Sequence, residues 1–147
     1  MTFVRERIPD TRLLVGGKGG YFAKMNSLVR RLGLENNVRF LDFVPDDQLN
    51  ALYNQAQCVV VPSIFEGFGI TVIEALAAGT RVVGTDTDGI REILQGGDYG
   101  RLVPYGDTHA LADAIVAELT TPRKAEALRP EYQEEQFRRR YQEVLES

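Results

Sequence analysis

Tryptophan is absent from the 147-residue chain, and cysteine occurs once, at Cys58. A single thiol excludes an internal disulfide framework and fits a reducing cytoplasm. There is no basic excess either: 17 Lys and Arg stand against 21 Asp and Glu, a net charge of −4. Wholesale neutralisation of phosphates is therefore not expected, which argues against a nucleic-acid partner. No apolar run is long enough for a transmembrane segment, and the N-terminus lacks the apolar core of a signal peptide. Internal repeats, low-complexity tracts and linkers are missing as well. What remains is an ordinary globular composition, 44% hydrophobic and 26% charged, in a length that suits one domain with a sizeable core.

Short apolar runs alternate with longer amphipathic stretches. Residues 12–16, 38–43, 58–61, 81–84 and 100–103 read as strands. The run Cys58-Val59-Val60-Val61 is continuous, as expected of a parallel strand covered on both faces. Residues 21–32 place Phe22, Met25, Leu28, Val29 and Leu32 at helical spacing, with Gly33 as the stop. Asp46 or Asp47 is placed to cap a helix carrying Leu49, Leu52, Tyr53 and Ala56. Further helices are expected over 70–78, ended by Gly79, and over 89–95. Another spans 110–119, capped by Asp107 and striped with Leu111, Ala114, Ile115, Ala117 and Leu119. Met1–Ile8 reads as the end of a helix stopped by Pro9-Asp10. From Arg123 onward the pattern is charged and helical, with Phe137, Tyr141 and Leu145 on one face. Strands alternating with helices imply an α/β fold: a Rossmann-like, doubly wound parallel sheet with helices on both faces and right-handed crossovers.

In such a sheet ligands bind at the carboxyl ends of the strands. Two loops there stand out. Gly16-Gly17-Lys18-Gly19-Gly20 exposes backbone N–H groups and adds a positive charge, although a tight strand-to-helix turn explains it equally well. It matches neither the P-loop pattern nor a dinucleotide fingerprint. The second loop, Pro62-Ser63-Ile64-Phe65-Glu66-Gly67-Phe68-Gly69, leads into a helix in which Glu74 is the only charged residue between Gly67 and Thr80. A carboxylate among Ile73, Ala75, Leu76, Ala77 and Ala78 is unfavourable unless it gains partners. Ligand hydroxyls are one such set, because a carboxylate accepts two hydrogen bonds side by side. Solvent, or an internal Arg such as Arg81, is the alternative. Gly67 and Gly69 flank Phe68 at a helix N-terminus, where free N–H groups and the helix dipole favour an anion such as pyrophosphate. Glu66 would be repelled by phosphate and suits sugar hydroxyls or a developing positive charge. A phosphate flanked by two polyhydroxylated groups describes a nucleotide-sugar.

Other polar residues carry blander readings. Cys58 is expected to be a small buried hydrophobe. His109 follows a helix cap with no second His or Cys nearby to suggest a metal. Asp86 and Asp88 fit turn formation or the lining of a cleft. Arg138-Arg139-Arg140 is flanked by acids and reads as a solvated helix face.

At the second loop the chain closely resembles the C-terminal, donor-binding domain of the retaining, two-domain (GT-B fold) glycosyltransferases of family GT4, the glycosyl transferases group 1. The matching residues are Pro62-Ser63, Glu66-Gly67-Phe68-Gly69-Ile70, Glu74-Ala75, Ala78-Gly79-Thr80 and Val82-Val83, with Glu66 and Glu74 as the family's E-x7-E element. Flanking stretches agree in order and spacing: Leu14-Val15-Gly16, Val38 to Leu41, Phe43-Val44-Pro45, Gly89 to Ile93, and Gly100 to Val103. The likeness runs from about Thr11 to Leu119.

The resemblance implies one nucleotide-sugar-binding domain over residues 1–147, closed by a C-terminal helical segment over 120–147. It implies retaining transfer of a hexosyl group from a UDP- or GDP-linked sugar to an acceptor, with no metal and no cofactor beyond that donor. By carry-over, Glu66 is the catalytic residue, contacting the transferred sugar. Glu74 holds the ribose hydroxyls, and Gly67, Phe68, Gly69, Ile70 and Thr71 face the pyrophosphate or sugar. Phe40 to Val44 lie against the base, and Gly16, Gly17 and Lys18 form the glycine-rich turn. Family members carry an Arg and a Lys on the diphosphate, after a first strand upstream of Thr11. This chain lacks that segment, and Lys18 is the candidate substitute in another loop. An N-terminal acceptor domain, in cis or in trans, is the implied partner, without which the chain is expected to be inactive. The location is cytoplasmic, with peripheral membrane attachment through the acceptor domain. The alternative is a non-catalytic nucleotide-sugar-binding module. The absent strand would be central in the order 3-2-1-4-5-6, so strands 13–16 and 58–61 are expected either to pair directly or to leave a gap with two exposed edges.

Overall fold

The computed structural model describes residues 1–17, 19–65, 67–97 and 99–122. The charged C-terminal stretch from Arg123, with Phe137, Tyr141, Leu145 and the three arginines, lies outside them, as do Lys18, Glu66 and Asp98. The chain divides into two units, Met1–Leu49 and Asn50–Ser147.

The first unit contains α1 (Thr2–Arg7), β1 (Leu13–Gly16), α2 (Phe22–Arg31) and β2 (Val38–Leu41). β1 and β2 are parallel, with Leu13 opposite Val38 and Gly16 opposite Leu41. β2 ends two residues earlier than the sequence pattern suggests. Gly16 is the last residue of β1, so the ladder runs out of partners, and Phe43 stands exposed beyond it. The face expected on α2 is covered only in part: Val29 is buried, whereas Phe22, Met25 and Leu32 remain exposed. Two four-residue strands offer too little apolar surface to cover a ten-residue helix. Asn37 ties the unit together, its side-chain amide donating to the carbonyls of Pro9 and Thr11 at 2.9 and 2.8 Å.

The boundary between the units falls within α3 (Asp46–Gln55). Asp46 is its first helical residue rather than its cap, since Gln48 and Leu49 already donate to the carbonyl of Pro45. The two acids still favour the helix, as negative charge in the first turn.

The second unit continues with β3 (Cys58–Val61), α4 (Ile70–Ala77), β4 (Arg81–Thr85), α5 (Asp88–Ile93), a 3-10 turn over Gln95–Gly97, β5 (Gly100–Val103) and α6 (Thr108–Thr120). Its sheet is parallel in the order β3-β4-β5. Alternation along β4 divides the core. Val82 joins Val61, Val72, Ala75, Leu76, Ile90 and Leu94 beneath α4 and α5, while Val83 packs with Val103 and Ala114 against α6. Both faces of the sheet are thus covered, as the continuous apolar strands require. Asp107 caps α6 as expected, accepting from the N–H groups of His109 at 3.1 Å and Ala110 at 2.8 Å.

β1 and β3 belong to separate ladders. Direct pairing of these two strands is therefore not formed, and each keeps one side without a strand partner among the described residues. No helix among those residues is long and apolar enough to cross a membrane.

Candidate functional site

The polypeptide leaves β3 at Val61 and re-enters regular structure at Ile70, so the N-terminus of α4 lies at the carboxyl edge of the β3-β4-β5 sheet. Gly69 makes that entry possible. It is the N-cap at φ 68°, ψ 35°, a left-handed conformation that favours glycine. Its carbonyl receives Val72 at 2.9 Å and Ile73 at 3.0 Å. Among the described residues no side chain caps the helix, and the opening amides of Ile70 and Thr71 stand at its positive end. A Cβ placed on Gly67 would meet nothing within 4 Å. Glycine there is not demanded by the chain's own packing.

Glu74 lies one turn into α4, half-buried. Its Oε2 accepts a 3.0 Å hydrogen bond from the phenol of Tyr53 on α3. Burial, followed by the hydrogen bond to Glu74, pushes the Tyr53 phenol far above its ordinary value, and Thr71 acts on the same phenol in the opposite sense. Tyr53 is therefore a neutral donor throughout the physiological range. Its backbone is fixed as well: Thr80, at the far end of α4, donates its hydroxyl to the Tyr53 carbonyl at 2.5 Å. The arginine considered for Glu74 is engaged elsewhere. Arg81 Nε binds Glu118 Oε2 at 2.8 Å, and Arg101 Nε binds Glu118 Oε1 at 2.6 Å. Glu74 thus keeps Oε1 without a partner among the described residues, and no cation neutralises it there.

Of the residues singled out by sequence, Gly67, Phe68, Gly69, Ile70, Thr71 and Glu74 are brought together in the second unit, along the loop and first turns of α4. Gly16, Gly17, Phe40 and Val44 gather in the first unit at the carboxyl ends of β1 and β2. The Gly17 N–H donates to the Asp42 carbonyl at 3.2 Å. A Cβ on Gly16 would meet Val44 Cγ2 at 3.7 Å. The ring of Phe40 lies edge-on to Phe22 at 5.4 Å. Glu66 and Lys18 fall outside the described residues. Asp86 and Asp88 both bind Arg91, at 2.6 and 3.0 Å, and the Arg91 hydrogen bond holds the Asp86 carboxyl below its usual value. Cys58 is largely enclosed. Burial, then the charge of Glu118, pushes its thiol up to about 11. His109 is exposed near the start of α6. Among the described residues no group of three or more His, Cys, Asp or Glu could hold a metal ion.

Two residues of consequence escaped the sequence reading. Tyr53 scored only as part of an apolar stripe, and nothing local announces a partner 21 positions away. Glu118 was passed over although a signal existed. It stands four residues after Ala114 and three after Ile115, on the buried face of α6.

Residues 2–135 match the family model of the glycosyl transferases group 1. A phosphatidyl-myo-inositol mannosyltransferase of Mycobacterium leprae is 43% identical over 115 residues, which cover 78% of this chain and 30% of that protein. A D-inositol 3-phosphate glycosyltransferase of Corynebacterium glutamicum is 38% identical over 116 residues, 75% of this chain and 28% of its own length. The chain therefore spans under a third of these curated relatives. Among solved structures, sucrose-phosphate synthase of Thermosynechococcus elongatus aligns at a TM-score of 0.77 with 28% identity, covering 98% of this chain and 41% of that one. Anabaena HepE in complex with UDP-glucose aligns at 0.69 with 26% identity, over 80% and 35% of the two chains. The shared sequence runs through the elements that build the α4 site, and the shared fold is the Rossmann-like half of the GT-B architecture. On both grounds the chain belongs to the glycosyl transferases group 1 family.

Proposed function

We propose that the chain is the donor-binding domain of a retaining glycosyltransferase, taking a UDP- or GDP-linked sugar and working with an acceptor domain in a cytoplasmic setting. The observation that carries this reading is Glu74. It is a half-buried carboxylate at the carboxyl edge of the sheet, with one oxygen held by a neutral phenol and the other without a partner among the described residues. A carboxylate engaged by arginines would be spent, whereas this one retains the capacity to accept two vicinal hydroxyls of a ribose. The uncapped N-terminus of α4 and the unobstructed backbone at Gly67 supply donors and room for the diphosphate beside it. HepE, 26% identical, has been solved in complex with UDP-glucose, which supports the same ligand class.

In the reaction proposed, the bond from the sugar's anomeric carbon to the diphosphate breaks. A bond from that carbon to an acceptor oxygen forms on the same face, and the nucleoside diphosphate leaves. Charge builds on the departing phosphate, so the α4 amides act most strongly in the transition state. Glu66, by the family resemblance, faces the positive charge developing on the sugar. Gly16, Gly17, Lys18, Phe40 and Val44, of the first unit, are by the same resemblance further donor-binding candidates.

Calorimetric titration with UDP- and GDP-sugars tests the reading. One of the two series is expected to bind, and Glu74→Gln is expected to weaken that binding more than it weakens folding. A well-folded chain that binds neither series would refute the site assignment.

A further inference from the structure

We infer that Tyr53 is a positioning residue for the nucleotide site: its phenol holds the Glu74 carboxylate in the orientation that receives the ribose hydroxyls. The inference rests on the proposed donor site and adds to it a residue from a different helix.

Three observations carry it. The first is the hydrogen bond itself. Tyr53 Oη donates to Glu74 Oε2 at 3.0 Å, which restrains the carboxylate through one oxygen while no hydrogen bond from the described residues engages Oε1. The second is chemical. Burial and the neighbouring carboxylate keep the phenol protonated far above neutrality, so its O–H stays a donor to Glu74 throughout the physiological range, while Thr71 hydrogen-bonds the same phenol. A neutral donor orients a carboxylate without cancelling its charge, unlike the paired arginines on Glu118. The third is mechanical. Tyr53 cannot easily drift, because its carbonyl receives the hydroxyl of Thr80, itself 1% exposed, at the other end of α4. The tyrosine is gripped at its backbone beyond the end of the helix and at its phenol by a residue within it. Glutamate has three side-chain torsions, and a bidentate contact to two hydroxyls needs all of them fixed. Ordering them in advance removes an entropic cost from ligand binding.

The test is a thermodynamic cycle on the full chain. UDP and GDP are titrated, and for whichever binds, its 2′,3′-dideoxy counterpart is titrated too. The proteins are wild type, Tyr53→Phe, Glu74→Gln and the double variant, each with its thermal midpoint measured. Tyr53→Phe is expected to weaken the ribonucleotide by roughly three- to tenfold, because the carboxylate keeps its charge and loses only its orientation. It should leave the dideoxynucleotide and the thermal midpoint essentially unchanged, and have no further effect when Glu74 is already Gln. Equal weakening of both nucleotides, or the same loss in the Glu74→Gln background, would make Tyr53 a general support and overturn the inference. So would an unaltered ribonucleotide affinity in Tyr53→Phe where Glu74→Gln abolishes the ribose preference, and that result leaves the donor site standing. Failure of Glu74→Gln to change the preference, or binding of neither nucleotide, overturns the donor-site reading and the inference with it.

Discussion

Glu118 offers a sharp test of how this fold stores charge in its interior. Its side chain is 1% exposed, while those of Arg81 and Arg101 are each 44% exposed. The asymmetry decides what each substitution does. Losing one arginine leaves the other on the carboxylate, and the expected cost is at most about 1 kcal/mol once half-exposure of the guanidinium is allowed for. Losing both strands a buried carboxylate, for which the cost is about 3–5 kcal/mol. The double variant Arg81→Ala/Arg101→Ala should therefore be less stable than the sum of the two single losses. Glu118→Met behaves differently. It fills a similar volume, and the two arginines turn outward to water, so a change within about 1 kcal/mol is expected. The triple variant Arg81→Ala/Arg101→Ala/Glu118→Met should recover most of what the double variant loses. Urea unfolding at neutral pH, followed by circular dichroism, measures all of these. Simple additivity of the arginine losses, or failure of the triple variant to recover, would refute the argument that the buried charge governs the energetics.

Other consequences are readily measured. Gly100→Ala should be severely destabilising or prevent folding, because its Cβ would stand 2.1 Å from the Val82 carbonyl oxygen, a backbone atom that cannot step aside; expression and melting of the variant decide this. Asp107→Ala should cost about 1 kcal/mol through loss of the cap on α6, read from the urea midpoint. The Cys58 thiol, at about 11 when folded against an ordinary value of 9.0, loses its proton first in the unfolded chain. Stability should therefore be unaffected by this group below about pH 9 and decline from there through pH 11, by on the order of 3 kcal/mol; in alkaline unfolding series Cys58→Ala should remove the part of the decline that begins near pH 9, leaving the part that the raised Tyr53 phenol adds from about pH 10. Amide exchange should protect Val82 and Val83 far more than Leu14 and Val15, since a two-stranded ladder is marginal by itself; equal protection would count against two units of unequal strength.

Local signals located the strands and helices well. The run from Cys58 to Val61 needs no partner to be recognised, and Gly33 and Gly79 mark helix ends because both carry a positive φ. The extension of β2 through Asp42 and Phe43 failed because strand length is set by the partner, and β1 stops at Gly16. The α2 stripe failed for a related reason: periodicity reports that a helix has an apolar face, not how much surface exists to meet it. The loop and helix from Gly67 to Glu74 were legible as one stretch of candidate residues, since all of them are contiguous in sequence. Their supports were not. Tyr53 and Thr80 are 27 positions apart, and Glu118 is 37 from Arg81 and 17 from Arg101.

Two carboxylates of the second unit, Glu74 and Glu118, show why such partners matter more than the residue type. Glu74 and Glu118 are both glutamates on helices packed against the same sheet, and sequence alone gives each the same donor-hungry side chain. Glu118 lies toward the amino ends of the strands, where Arg81 and Arg101 begin β4 and β5, and each of its oxygens is taken by a guanidinium. Its charge is consumed in joining α6 to the sheet. Glu74 lies toward the carboxyl ends, where β3 gives way to a glycine-bearing loop, and the donor that reaches it is a phenol. A phenol restrains without neutralising, so the charge stays available to hydroxyl donors from outside. Exchanging the partners should exchange the roles: Tyr53→Arg is expected to pair Glu74 as Glu118 is paired and to abolish nucleotide-sugar binding in calorimetric titration, and retained binding would count against the open-carboxylate argument.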